Sequence, residues 1–85
     1  MTQPRPWLDE VLDAFEELGG EATLKEIYDR IESRGIMNFY SNKHWQAAVR
    51  RTIETHSSDS EAYKEEYPDL FESTAGIGKG IWNLR

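Results

Sequence analysis

From Trp7 to Leu18, apolar residues return with the period of an α-helix. Trp7, Val11, Ala14, Phe15 and Leu18 make the stripe, and Leu8 and Leu12 widen it. Asp9, Glu10, Asp13, Glu16 and Glu17 fill the opposite face, which is expected to meet solvent. The pattern predicts an amphipathic helix that Gly19 and Gly20 stop. A second stripe, Leu24, Ile27, Tyr28 and Ile31, predicts another helix. Thr23 stands where an N-cap should, Glu26 follows three residues later as its capping-box partner, and Gly35 ends the helix. Between the two helices, Glu21 and Ala22 are a candidate short strand.

The stretch "IMNFYSN" reads as a connector with apolar anchors. Ser41 or Asn42 is the expected cap of a third helix over 41–56. Its inner face is Trp45 with Ala48, Val49, Thr52 and Ile53, which fall within roughly 80° of Trp45 at about 100° per residue. "SSDSEAYKEEYPD" is polar and acidic, with one helical turn expected around Ser60 to Tyr67, capped by Ser58 or Asp59. "LFEST", "AGIGKG" and "IWNLR" then read as strand, glycine turn and strand over 70–85. In this hairpin Gly76, Gly78 and Gly80 supply positive φ angles, and Trp82 and Leu84 share the buried face.

The resulting architecture is α+β and mainly helical: a loose arm over 1–6, then a single domain over 7–85. Three helices and a closing β-hairpin, with the candidate short strand between the first two helices, follow the order of a winged helix-turn-helix. Hydrophobic residues at 38% and aromatics at 12% suffice for a small core and exceed what a disordered segment carries. The chain ends directly after its last predicted strand, as expected of a module cut from a longer protein.

Charge changes the picture because it is segregated. The net value of −6 alone argues against a polyanion partner, since phosphates are met by lysine and arginine. Residues 1–40 carry −5 and residues 57–85 carry −3, but residues 41–56 carry +2 from Lys43, Arg50 and Arg51 against Glu54. On the wheel, Lys43, Ala47, Arg50, Arg51 and Glu54 oppose the Trp45 face, with His44 and Gln46 at its flanks. Arginine and lysine pair with guanine edges and glutamine with adenine, and a small residue such as Ala47 lets a helix approach a groove floor. Asn42, Lys43, Gln46, Ala47 and Arg50 are therefore the candidates for reading bases in the major groove. His44 and Arg51 are placed for phosphates, and so is Lys79 at the hairpin tip. Glu54 counts against DNA at the C-terminal end of this face.

Other chemistry is not expected. "HSSDS", from His56 to Ser60, holds the residue types of a catalytic triad. However, triads converge from distant parts of a chain, and His56 is better placed to close the third helix against the core. His44 and His56 have no acidic neighbour at a zinc-ligand spacing, and the acidic run after Ser58 lacks the glycine and terminal glutamate of a calcium loop. "GIGKG" lacks the hydroxyl residue after its lysine, and the helix, that a phosphate-binding loop needs. Neither an enzyme, a metal, a cofactor nor a small-molecule substrate is predicted. The absence of cysteine, signal peptide and long apolar run leads us to expect a cytoplasmic protein without membrane attachment.

The segments "TLKEI", "HWQAAVRRTIETHSSDS" and "GIGKGIWNLR" resemble the winged-helix modules attached to bacterial restriction endonucleases. Those are the HARE-HTH domains and the N-terminal domains of Mrr-type enzymes, and the likeness runs from Trp7 onward. It implies a part of a restriction-modification protein that binds double-stranded DNA through the third helix and wing, at Lys43, Gln46, Arg50, Arg51 and the wing residues. It also implies an attached or partner nuclease domain, and a role in targeting or in sensing modified DNA. The chain departs from the family in its acidity and in having no nuclease motif. The alternative expectation is a protein-interaction winged helix that docks a basic partner on its acidic surfaces.

Overall fold

The computed structural model describes residues 6–74 and 80–85. The elements in order are α1 (Trp7–Glu17), β1 (Glu21–Thr23), α2 (Leu24–Arg34), α3 (Trp45–Thr55), β2 (Phe71–Ser73) and β3 (Ile81–Leu84). Three helices and one three-stranded antiparallel sheet make an α+β, mainly helical fold. Among the described residues no helix is long and apolar enough to cross a membrane. The predicted turn "AGIGKG", with Gly76, Gly78 and Lys79, lies outside the described residues up to Gly80.

Local signals act as read. Thr23 Oγ1 accepts from the Glu26 backbone N–H at 3.1 Å, and Glu26 Oε1 accepts from the Thr23 N–H at 2.9 Å, a complete capping box. Gly35 closes α2 at φ 64°, in the left-handed region. Gly80 enters β3 at φ 73°, which a residue with a Cβ adopts only under strain. Inside, Val11, Ala14 and Phe15 of α1 meet Ile27 and Ile31 of α2 and Trp45, Val49 and Ile53 of α3. The sheet adds Ala22, Phe71 and Trp82. Phe15 and Phe71 pack ring on ring at 5.2 Å, which joins helices to sheet.

β3 is the central strand. Ala22 of β1 pairs with Trp82 on one side, and Phe71 of β2 pairs with Leu84 on the other. Trp82 is buried and Leu84 half-buried on the same face, as the strand alternation predicts. The candidate pair at Glu21 and Ala22 is thus a real strand, and it docks on the last strand of the chain.

Three expectations are corrected. First, the third helix begins at Trp45 rather than near 41. The Asn38 side chain accepts from the N–H groups of Tyr40 and Ser41 at 3.0 and 3.2 Å, and the Asn42 amide donates back to the Asn38 carbonyl at 2.9 Å. Ser41 and Asn42 thus close a turn on Asn38 instead of capping a helix. Second, no helical turn forms around Ser60 to Tyr67. Asp59 and Ser58, its expected caps, are turned to other partners. Asp59 accepts from the Ser73 N–H at 2.9 Å, and Ser58 donates its hydroxyl to Asp69 at 2.6 Å. Third, Glu10 does not meet solvent. It is fully buried and accepts from Arg34 Nε at 2.6 Å and Nη2 at 3.3 Å. The same guanidinium reaches Asp13 and Glu17, so one cation gathers three α1 carboxylates at the end of α2. The hydrogen bond to Glu10 raises Arg34 above its ordinary range, which keeps it charged.

The segment after α3 is held by a second arginine. Arg85 binds Asp69 at 2.9 Å and also reaches Asp59, Glu72 and the Phe71 carbonyl. Hydrogen bonds from Ser58, and then from Arg85, hold the Asp69 carboxyl below its ordinary value of 3.8. A carboxylate lowered in the folded state adds stability above its unfolded pKa, and that stability is lost as pH falls through the folded value. Asp69→Asn is therefore expected to lower the urea midpoint at neutral pH and to flatten its fall below about pH 4. Urea titrations across the acid range check this. An unchanged acid slope would remove Asp69 from the account.

Candidate nucleic-acid interface

The inner face of α3 is fixed by Trp45, Val49 and Ile53, all buried, with Ala48 and Thr52 half-buried beside them. Helical geometry then forces Gln46, Ala47, Arg50 and Arg51 outward, and all four are exposed. Asn42, Lys43 and His44 are exposed as well, but they stand in the turn ahead of the helix rather than on it. Seven of the eight predicted site residues therefore belong to one continuous stretch of helix and leading turn. Lys79 lies outside the described residues.

Most described cations outside this stretch are paired, with Lys64 the exception. Lys25, Arg30, Arg34 and Arg85 each bind a carboxylate. Among the described residues, Lys43 and Arg51 form no ion pair within 4 Å. Arg50 is intermediate: its Nε lies 3.5 Å from Glu54 one turn on, with the arginine 63% exposed. A pair this long and this open is weak, so a stronger anion can displace it. No acidic residue occurs from Ser33 to Ile53, in a chain that has 16 of them. The segment that leads into α3 and forms its first two turns thus contributes no carboxylate of its own.

The character changes at the other end of α3. A cleft of about 580 Å³ opens between α3, the start of α2, the 60–62 turn and β3. Its walls include Arg50, Glu54, Glu61, Leu24 and Trp82. Two carboxylates on its rim make it a poor seat for a phosphate, in keeping with the reading of Glu54 from sequence. Nearby, burial pushes the Tyr28 phenol up, Arg50 draws it down and Glu54 pushes it further up, so the phenol stays neutral. The N-terminal half of α3 and the turn before it carry the exposed side chains of Lys43, Arg50 and Arg51.

The residues of "HSSDS" point apart. His56 Nδ1–H donates to the Thr52 carbonyl at 2.8 Å and its ring stacks on Tyr67 at 4.9 Å. Ser57 is buried, Ser58 binds Asp69 and Asp59 binds Ser73. His56 thus sits at the C-terminal end of α3, as expected.

Sequence reasoning missed Tyr40, which is 94% exposed. The connector was expected to supply apolar anchors, and Met37 and Phe39 do pack against the core, but Ile36 and Tyr40 do not. The available signal was Asn38, whose side chain commonly folds the next residues into a tight turn. Compared with protein-family models, with curated proteins and with solved structures, the chain matches none.

Proposed function

We propose that this is a DNA-binding winged-helix module that presents α3 to the major groove of a duplex. The observation that carries this reading is the outward face of α3. Gln46, Ala47, Arg50 and Arg51 stand exposed on a helix whose other side is locked into the core, and the segment leading to them has no carboxylate. Three features support it. The element order and a sheet in which the last strand lies between the other two support a winged-helix reading. The carboxylates nearest this face, Glu54 and Glu61, share a cleft with Arg50, and Lys43 and Arg51 are not among the residues that line it. Lys43 and Arg51 hold charges that no carboxylate within the described residues neutralises. The rival reading, a basic protein docked on the acidic faces, would use the exposed carboxylates Asp9, Glu16, Glu61, Glu65 and Glu66, since Glu10, Asp13 and Glu17 of α1 converge on Arg34. In the proposed role any cleavage belongs to an attached or partner nuclease domain.

The test is fluorescence anisotropy with short mixed-sequence duplexes, some carrying methylated cytosine, across a salt series. Wild-type affinity is expected to fall with salt at a log–log slope of about −3, one cation per phosphate for Lys43, Arg50 and Arg51. Arg50→Ala with Arg51→Ala is expected to weaken binding roughly 100-fold and to reduce the slope by about two. Binding that survives the double change, or that ignores salt, would sink the reading. A difference between methylated and unmethylated duplexes would bear on modification sensing.

A further inference from the structure

Tyr40 is the most exposed large hydrophobic side chain among the described residues, at 94%. It is also held in place. On one side Phe39 packs its ring 4.8 Å from Trp45. On the other, the Asn38 side chain accepts from the Tyr40 and Ser41 N–H groups, and Asn42 donates to the Asn38 carbonyl. The backbone under Tyr40 is therefore fixed by a half-buried neighbour packed on the core before it and a hydrogen-bonded turn around it. An aromatic ring presented to water on a fixed support gives nothing to the core. Such a residue offers a large contact area and a hydroxyl at low entropic cost to a partner.

The surroundings indicate the chemistry of that partner. Ser41, Asn42, Lys43 and His44 follow, all exposed and all able to donate hydrogen bonds. The turn lies inside the carboxylate-free stretch from Ser33 to Ile53 and runs directly into α3. A neutral donor next to an unpaired lysine suits a phosphodiester backbone, whose oxygens take hydrogen bonds from tyrosine, serine and asparagine as well as from cations.

We infer that Tyr40 is a backbone-contact residue of the duplex interface. Its hydroxyl donates to a phosphate oxygen and its ring lies along the adjoining deoxyribose, which sets the depth and angle at which α3 enters the groove. This rests on the DNA-binding reading above and extends the interface from the helix face to the turn before it.

The experiment compares wild type, Tyr40→Ala, Tyr40→Phe and Lys43→Ala by anisotropy with duplex DNA over a salt series, with a thermal melt of each. Tyr40→Ala is expected to weaken binding roughly tenfold and Tyr40→Phe roughly threefold. The salt slope stays at the wild-type value in both, because no charge is lost. Lys43→Ala reduces the slope by about one. The melting midpoints of both Tyr40 variants stay at the wild-type value, since the side chain covers no core. If wild type binds duplex and Tyr40→Ala binds equally well, the inference falls while the DNA-binding reading stands. If Tyr40→Phe matches wild type, the phosphate contact is overturned. Self-association that Tyr40→Ala abolishes, with duplex affinity intact, overturns it in favour of a contact between copies. A wild-type protein that binds no duplex removes both readings.

Discussion

Replacing Arg34 by alanine is expected to lower the unfolding free energy by about 3 kcal/mol, measured by urea denaturation at neutral pH. Glu10 is fully buried in α1 and takes two hydrogen bonds from this guanidinium, at 2.6 and 3.3 Å. Removing the arginine takes both from a carboxylate that water does not reach. It also leaves Asp13 and Glu17 close to Glu10 without the cation they share. The loss reflects the hydrogen bonds and charge compensation taken from a buried carboxylate rather than the net worth of the pair. That distinction can be tested. Arg34→Lys keeps the charge but not the planar fork, so it is expected to lose at least half as much as alanine. Glu10→Met combined with Arg34→Met removes both charges and fills the space, and it is expected to recover most of the stability. If the double variant is as unstable as Arg34→Ala alone, the buried carboxylate is not the cause. For 85 residues, stability of the order of 4–13 kcal/mol is typical, so the single change consumes a large share of it.

This ion pair also marks where reading from sequence stops. The capping box at Thr23 and Glu26 was legible because both partners lie within one turn and the geometry is local. The outward positions Gln46, Ala47, Arg50 and Arg51 were legible because Trp45, Val49 and Ile53 fix the opposite side of the same helix. Glu10 was misplaced because its charge assigned it to the polar face, although it stands at i+3 from Trp7 at the edge of the apolar stripe, and Arg34 lies 24 residues away. Nothing local in α1 announces an arginine arriving from the end of α2. The third helix was started too early for a related reason. Ser41 and Asn42 are good caps in isolation, and only the choice made by Asn38, which folds the preceding turn, diverts them. Ser58 and Asp59 likewise cap nothing because Asp69 and Ser73 come to meet them from later in the chain. The central position of β3 is equally nonlocal, since β1 is separated from it by two helices. Tyr40 went unrecognised because an aromatic in an apolar connector reads as core until the turn that expels it is seen.

Trp45→Ala is expected to lower stability by about 4 kcal/mol, the range for truncating a buried tryptophan. Its place in the fold makes the consequence larger than its volume alone. Trp45 is the first residue of α3 and is only 8% exposed. Its ring meets Trp7 of α1 at 6.2 Å, Tyr28 of α2 edge-on at 5.9 Å and Phe39 of the preceding turn at 4.8 Å. All three helices and the turn that carries Tyr40 thus converge on one indole. No side chain caps the N-terminus of α3, so packing of Trp45 takes the place of a capping hydrogen bond in starting the helix. Two readouts follow. Thermal and urea unfolding are expected to show the lost stability, while far-ultraviolet circular dichroism below the new midpoint shows helix loss confined to about one turn. Trp45→Phe keeps an aromatic ring in the cluster and is expected to lose less than half as much. Under conditions where Trp45→Ala remains folded, duplex affinity is expected to fall as well, because Lys43, His44 and Gln46 no longer hold a fixed position on either side of the indole. Full affinity in a folded Trp45→Ala protein would mean that the start of α3 does not position the interface.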